Sequence, residues 1–169
     1  MGIDGTWYNE LGSRMVLQRG PDGRSLTGVY QSAVGHAVEE YIVSGRVDEA
    51  PEDGQSLGWV VSWQNGQFNS HSVTAWSGQF RVVNDGEEII TTTWILTREG
   101  PPEADWESTI LGKDVFCRKA PAAEDIARIR ALRGLSPTAS QLVSATQASP
   151  HGRDDGRSSL HARARSREA

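Results

Sequence analysis

Cysteine is almost missing from this 169-residue chain: Cys117 stands alone, which excludes an internal disulfide framework and any cysteine-based zinc cluster. The four histidines, His36, His71, His151 and His161, are scattered without metal-ligand spacing, so metal chemistry is not expected. No apolar run approaches the roughly 20 residues of a membrane-spanning helix. The net charge of −5 argues against nucleic acid as the main partner. With 37% hydrophobic and 23% charged residues, the length fits one globular domain with an appendage, and neither a membrane nor a nucleic acid is an expected partner.

Aromatics are missing from the last fifty residues. All twelve lie between Trp7 and Phe116. Segment 120–169 is instead rich in Ala, Ser and Arg; its eight Arg and no Lys stand against five acidic residues, a net +3, which leaves −8 on 1–119. Such a segment buries too little apolar surface to offset its ordering entropy and is expected to be a disordered tail. A short helix is expected near 124–133, where Ile126, Ile129 and Leu132 recur at helical spacing ahead of Gly134.

What 1–119 does contain is turn punctuation. Asp22-Gly23, Asp53-Gly54, Asn65-Gly66 and Asp85-Gly86 each suit a tight turn. The stretches between them, rich in Thr, Val, Ile and aromatics, predict strands at 5–10, 13–19, 25–31, 40–46, 57–64, 71–82, 89–97 and 106–117, with no competing helix. Eight short strands joined by hairpin-length loops point to an all-β fold, an eight-stranded antiparallel up-and-down β-barrel, with a two-sheet sandwich as the alternative.

Side chains alternate faces along a strand. Trp59, Val61 and Trp63 therefore share a face, as do Ser72, Thr74 and Trp76, and Thr92, Trp94 and Leu96. Trp7, Asn9, Leu11 and Ser13 form a further set if the turn preserves parity, and Tyr30 goes with Ser32. An interior selected for stability alone favours aliphatic residues, because a buried hydroxyl or amide lacking a partner costs about 1–3 kcal/mol. These polar groups either satisfy one another in a filled barrel or line a small-molecule cavity with aromatic walls; parity does not choose between the two.

Longer motifs do. Gly5-Thr6-Trp7-Tyr8-Asn9-Glu10-Leu11-Gly12-Ser13, Tyr30-Gln31-Ser32-Ala33-Val34-Gly35, Gly58-Trp59-Val60-Val61-Ser62-Trp63, His71-Ser72-Val73-Thr74-Ala75-Trp76-Ser77-Gly78-Gln79, Thr93-Trp94-Ile95-Leu96-Thr97, and Trp106-Glu107-Ser108-Thr109 through Gly112-Lys113-Asp114 closely resemble the avidin and streptavidin family. The resemblance runs collinearly over about residues 3–117, and the tail lies outside it.

The resemblance implies non-catalytic, high-affinity binding of biotin, with biotin as ligand and no cofactor. By similarity, Asn9, Ser13 and Tyr30 would donate to the ureido oxygen, and Ser32 and Asp114 would accept from the ureido N–H groups. Trp63, Trp76 and Trp94, with Leu11 and Leu96, would box the bicyclic body. Thr74 would meet the sulfur and Ser72 the carboxylate. Val34, Gly35 and His36 fall in the loop that closes over the ligand in the family; His36 stands where an Asn is usual. Trp106 resembles the tryptophan lent to a neighbouring subunit's pocket, which implies a homo-oligomer, a tetramer built as a dimer of dimers. Lys113 replaces a histidine at the weaker contact between dimers, and like charges meeting there would leave a dimer. Biotin sequestration and secretion are the family-level expectations, although the four residues ahead of the first strand hold no signal peptide.

Two other readings belong to different classes. A barrel acting through its surface, as a protease inhibitor or adhesion protein, would use the interior only as core. A hydrolase would need His71, Ser72 and Asp114 as base, nucleophile and orienting acid, yet no sharp nucleophile elbow surrounds Ser72.

Overall fold

The computed structural model describes residues 2–33, 39–49 and 54–132. Eight strands follow one another: β1 (Gly5–Asn9), β2 (Arg14–Arg19), β3 (Ser25–Gln31), β4 (Tyr41–Val47), β5 (Gln55–Gln64), β6 (Asn69–Val82), β7 (Glu88–Arg98) and β8 (Thr109–Cys117). Each pairs antiparallel with its sequence neighbour, and β8 closes on β1 through Tyr8↔Cys117 and Asn9↔Phe116. The fold is thus the closed up-and-down barrel expected from the strand count, and the sandwich is excluded. Closure joins the first strand to the last, so neither is a free edge strand.

Alternation decides which side chains are inside. Along β5, Leu57, Trp59, Val61 and Trp63 are buried while Ser56, Val60 and Ser62 are exposed; β7 repeats the pattern with Ile90, Thr92, Trp94 and Leu96 inside. At one end of the interior the filling is apolar. Trp7 and Phe80 meet edge to face at 6.0 Å, Trp59 and Phe116 at 5.6 Å, with Ile3, Leu17, Leu26 and Ile90 around them. The Trp7 indole N–H donates to the Ile3 carbonyl at 2.8 Å.

Arg118 seals this floor from outside. Its guanidinium lies 3.6 Å from the Trp7 ring centroid and donates through Nε to buried Glu88 Oε2 at 2.7 Å. It also donates to the carbonyls of Thr6 and Gly2. A cation over an indole and a charge-assisted bond reinforce each other where water is partly excluded. They tie the start of the C-terminal segment to β1 through Trp7 and to β7 through Glu88.

Three strand starts need correction. The last strand begins at Thr109 rather than at 106, because Pro102–Glu107 forms 3-10 turns in which Trp106 is held. Pro101 and Pro102 have no N–H for the ladder and a fixed φ, and the Ser108 amide turns back onto the Asp105 carbonyl at 3.0 Å. A second 3-10 turn, Asn84–Gly86, joins β6 to β7, so helical turns do interrupt 1–119. β5 and β6 each start two residues earlier than expected.

The predicted tail helix is α1 (Ala123–Leu132), with Glu124 and Asp125 in its first turn and Arg130 in its last, charges that suit the helix dipole. The expected disorder of the tail beyond Leu132, and the stop at Gly134, lie outside the described residues. No described helix is long and apolar enough to cross a membrane.

Candidate functional site

From the apolar floor upward, cross-strand register stacks the interior in rows, with Trp59 shared between the floor and the first of them. Trp59, Trp76 and Trp94 are direct neighbours across β5, β6 and β7, and the row ends at Gly112 of β8. A Cβ on Gly112 would come within 2.1 Å of the Trp94 ring, so the indole lies flat over bare backbone there. Trp59 and Trp76 stack at 5.7 Å, and Trp63 meets Trp76 at 6.3 Å. The row nearer the mouth is Val61, Thr74, Leu96 and Ile110. In it Thr74 Oγ1 accepts the Trp63 indole N–H at 2.7 Å.

Polar groups are set into this wall. Asp114 is 1% exposed, and its Oδ2 accepts the Trp76 indole N–H at 3.0 Å. Thr92 donates to the Asp114 carbonyl at 3.0 Å, which fixes the backbone that carries the carboxylate. The Tyr30 ring stacks on Trp76 at 5.6 Å, so one indole connects Tyr30 with Asp114. On β1, which pairs with β8, buried Asn9 uses Oδ1 to accept the amides of Leu11 at 3.1 Å and Ser13 at 2.8 Å. Those two bonds orient the Asn9 side chain, yet its Nδ2 is buried with no partner among the described residues, as are the indole nitrogens of Trp59 and Trp94. Native interiors seldom leave such donors unsatisfied.

Of the residues expected to form a site, Asn9, Leu11, Ser13, Tyr30, Trp63, Thr74, Trp76, Trp94, Leu96 and Asp114 are buried on the interior face. Ser72 is buried at the mouth, its hydroxyl 2.5 Å from that of Ser70, beside an open groove of about 430 Å³ that Asn69 and Thr97 also line. Ser32 is half-buried just past the end of β3, where the Ala33 amide donates to Ser13 Oγ at 3.2 Å. Val34, Gly35 and His36 lie outside the described residues. Trp106 does not join its own interior; it is 79% exposed.

Sequence reasoning missed Tyr41, Met15 and Gly112. Tyr41 is fully buried with its ring 5.1 Å from Trp63. It completes a row of Trp7, Met15, Tyr30 and Tyr41 that only the strand register reveals. Its shared parity with Val43 was the available signal. The imagined triad does not assemble: His71 is exposed with Nδ1 3.5 Å from Glu99, Ser72 bonds Ser70, and Asp114 holds Trp76. The Cys117 thiol is pushed up by burial and then by the nearby Glu87 and Glu10 carboxylates, which lowers its thiolate fraction and its reactivity. Among the described residues no cluster of His, Cys, Asp and Glu is placed to hold a metal.

An eight-stranded closed barrel is either filled by its own side chains or holds one small ligand, and an indole-walled interior with oriented polar groups fits a pocket. The chain belongs to the avidin family, whose model matches residues 1–119. It is 28% identical to avidin of Gallus gallus over 121 residues, 69% of this chain and 77% of that protein. It is 30% identical to afifavidin of Afifella pfennigii over 117 residues, 68% of this chain and 67% of the relative. It is also 32% identical over 121 residues to Fibropellin-1 of Strongylocentrotus purpuratus, of which the match spans 11%.

Proposed function

We propose that the barrel binds biotin without transforming it, and that its role is to sequester the vitamin outside the cell. The observation that carries this reading is the buried polar set: Tyr30 and Asp114 joined through Trp76, and Asn9 ordered by the amides of Leu11 and Ser13. A cyclic urea needs donors at its oxygen and acceptors at its two N–H groups. Asn9, Ser13 and Tyr30 supply the donors, and the unpartnered Asn9 Nδ2 is a buried N–H available for that oxygen. Asp114 and Ser32 supply the acceptors. An ionised acceptor on one side and several donors on the other polarise the ring in the same sense, so the bonds strengthen one another. Pre-set donors facing developing negative charge resemble an oxyanion hole that no reaction follows.

Trp63, Trp76, Trp94, Leu11 and Leu96 wall the bicyclic body, Thr74 meets the thioether, and Ser72 at the mouth takes the carboxylate. Because most of these side chains are already fixed by packing and mutual hydrogen bonds, binding forgoes much of the usual ordering cost.

Trp106 serves a neighbouring subunit's pocket. Its exposure in the single chain is anomalous for so large an aromatic. On the outer face of β5 to β8, Val60, Ala75, Ile95 and Leu111 form a continuous cross-strand apolar row with Val73 and Val115 nearby, a surface suited to a second copy. A homotetramer is the assembly proposed, with Lys113, paired to Thr93 on that face, as the group that would limit it to a dimer.

A calorimetric titration with biotin, repeated with Trp106→Ala in the full chain, tests the reading. Saturable binding at one biotin per chain, weakened by the substitution, is expected; no binding overturns it. Light scattering on the same samples reports the assembly.

A further inference from the structure

α1 lies outside the barrel and has no fully buried residue, yet it touches the turn that orders Asn9. A Cβ on Gly12 would meet Ile126 Cδ1 at 3.1 Å and the Ala33 Cβ at 3.7 Å, so Ile126 covers the one position of the β1–β2 turn that has no side chain of its own. Gly12 has φ +87°, a conformation that L side chains avoid. Its amide donates to the Asn9 carbonyl at 2.9 Å, the Asn9 amide donates to the Ser13 carbonyl at 2.9 Å, and Asn9 Oδ1 takes the amides of Leu11 and Ser13. The turn is therefore a small closed hydrogen-bond unit whose outer surface is bare backbone.

Chain connectivity holds the helix against it. Arg118, packed on Trp7 and paired with Glu88, fixes the chain just upstream, and the Ile126 amide closes on the Ala122 carbonyl at 3.0 Å. An anchored ten-residue helix presenting one branched aliphatic group to half-buried Gly12 excludes water from the outer face of the turn and restricts its opening.

We infer that α1 is a brace for the pocket, and that Ile126 is a positioning residue that acts through Gly12 to keep Asn9 and Ser13 in their ligand-ready geometry. The link to ligand retention rests on the biotin reading; the brace itself does not. Loss of the brace raises the fraction of time the turn is open, so it speeds ligand escape, whereas encounter with the open mouth is unaffected.

The test uses the full chain carrying Ile126→Asp, the conservative Ile126→Leu, and Arg128→Pro, which breaks α1 without altering the barrel. Hydrogen exchange is followed at the Leu11 and Ser13 amides in the ligand-free protein, with the Thr93 amide as a distant control, and biotin release is followed by chase. Ile126→Asp and Arg128→Pro should each accelerate exchange at Leu11 and Ser13 and biotin release by about tenfold, leaving Thr93 exchange and the biotin association rate unchanged; Ile126→Leu should restore both. Unchanged exchange at Leu11 and Ser13 overturns the brace. Faster exchange with unchanged release overturns the link to the pocket. Failure of the unaltered protein to bind biotin strikes the function proposal instead, and the amide rates still decide the brace.

Discussion

The floor of the barrel and the ring above it are built from the same residue type by opposite rules. In the floor, Trp7 spends its one indole hydrogen on Ile3, packs edge to face on Phe80 and carries Arg118 on its other side. Apolar neighbours complete it. In the ring, Trp63 and Trp76 direct their indole hydrogens to Thr74 and Asp114, and Trp94 keeps one without a partner among the described residues. Tryptophan in the floor is mainly buried area. In the ring it is wall and wiring together, and on the proposed function the buried polar groups left over there are the ones a ligand would complete. The difference separates residues that hold the barrel from residues that make it useful.

Substitutions that treat the two regions unequally test this most directly. Trp7→Ala should lower the unfolding free energy by about 3–5 kcal/mol, as expected for a large aromatic removed from a packed core; chemical denaturation measures it, and a loss under 1 kcal/mol would mean that the floor is not the stabilising half. Asp114→Ala should weaken biotin binding by about 1.5–3 kcal/mol, the range for a hydrogen bond to a charged group, while disturbing ligand-free stability less than Trp7→Ala does. Calorimetry and melting on the same sample compare the two. Equal losses in both assays would erase the distinction between regions.

Gly112→Ala sits on the boundary. The new Cβ would overlap the Trp94 ring, so the indole must shift, and overpacking of about 1–3 kcal/mol should appear in stability and in biotin affinity together. A change confined to one of them would show that the Trp row is not shared.

The smallest effect lies outside both regions. Asp22 orders the β2–β3 hairpin by accepting from the Ser25 hydroxyl at 2.6 Å, the Ser25 amide at 2.7 Å and the Arg24 amide at 3.0 Å. The Ser25 hydroxyl first, and then the two amides, lower its carboxyl from 3.8 to about 2. Because the folded value is the lower one, its contribution to stability is present above about pH 3.8 and disappears as the pH falls toward 2. Asp22→Asn should flatten that part of an acid unfolding curve and leave biotin binding at neutral pH unchanged. A steeper acid limb would contradict the sign.

Most of the barrel was legible because a strand's period is two. Thr92, Trp94 and Leu96 fall on one face whatever the sheet does, and Gly with Asp or Asn marks where the chain turns. Trp106 shows where such reading stops: its aromatic ring scores as strand, while the two prolines before it remove the ladder hydrogen bonds a strand needs. The row positions of Gly112 and Tyr41 were unreadable for another reason, even though parity with Val43 gave the face of Tyr41. Their importance comes from what stands beside them on another strand, and a single strand's pattern contains no register.

The order of residues along this chain by itself set the strand count, the inward and outward faces, the acidic barrel and the basic tail, because each follows from local periodicity and composition. Only the closed sheet decided that Trp59, Trp76, Trp94 and Gly112 share a row, that Trp76 joins Tyr30 to Asp114, and that α1 rests on Gly12. Those relations depend on register, shear and the path of the C-terminal segment, which are set by packing among residues far apart in the chain.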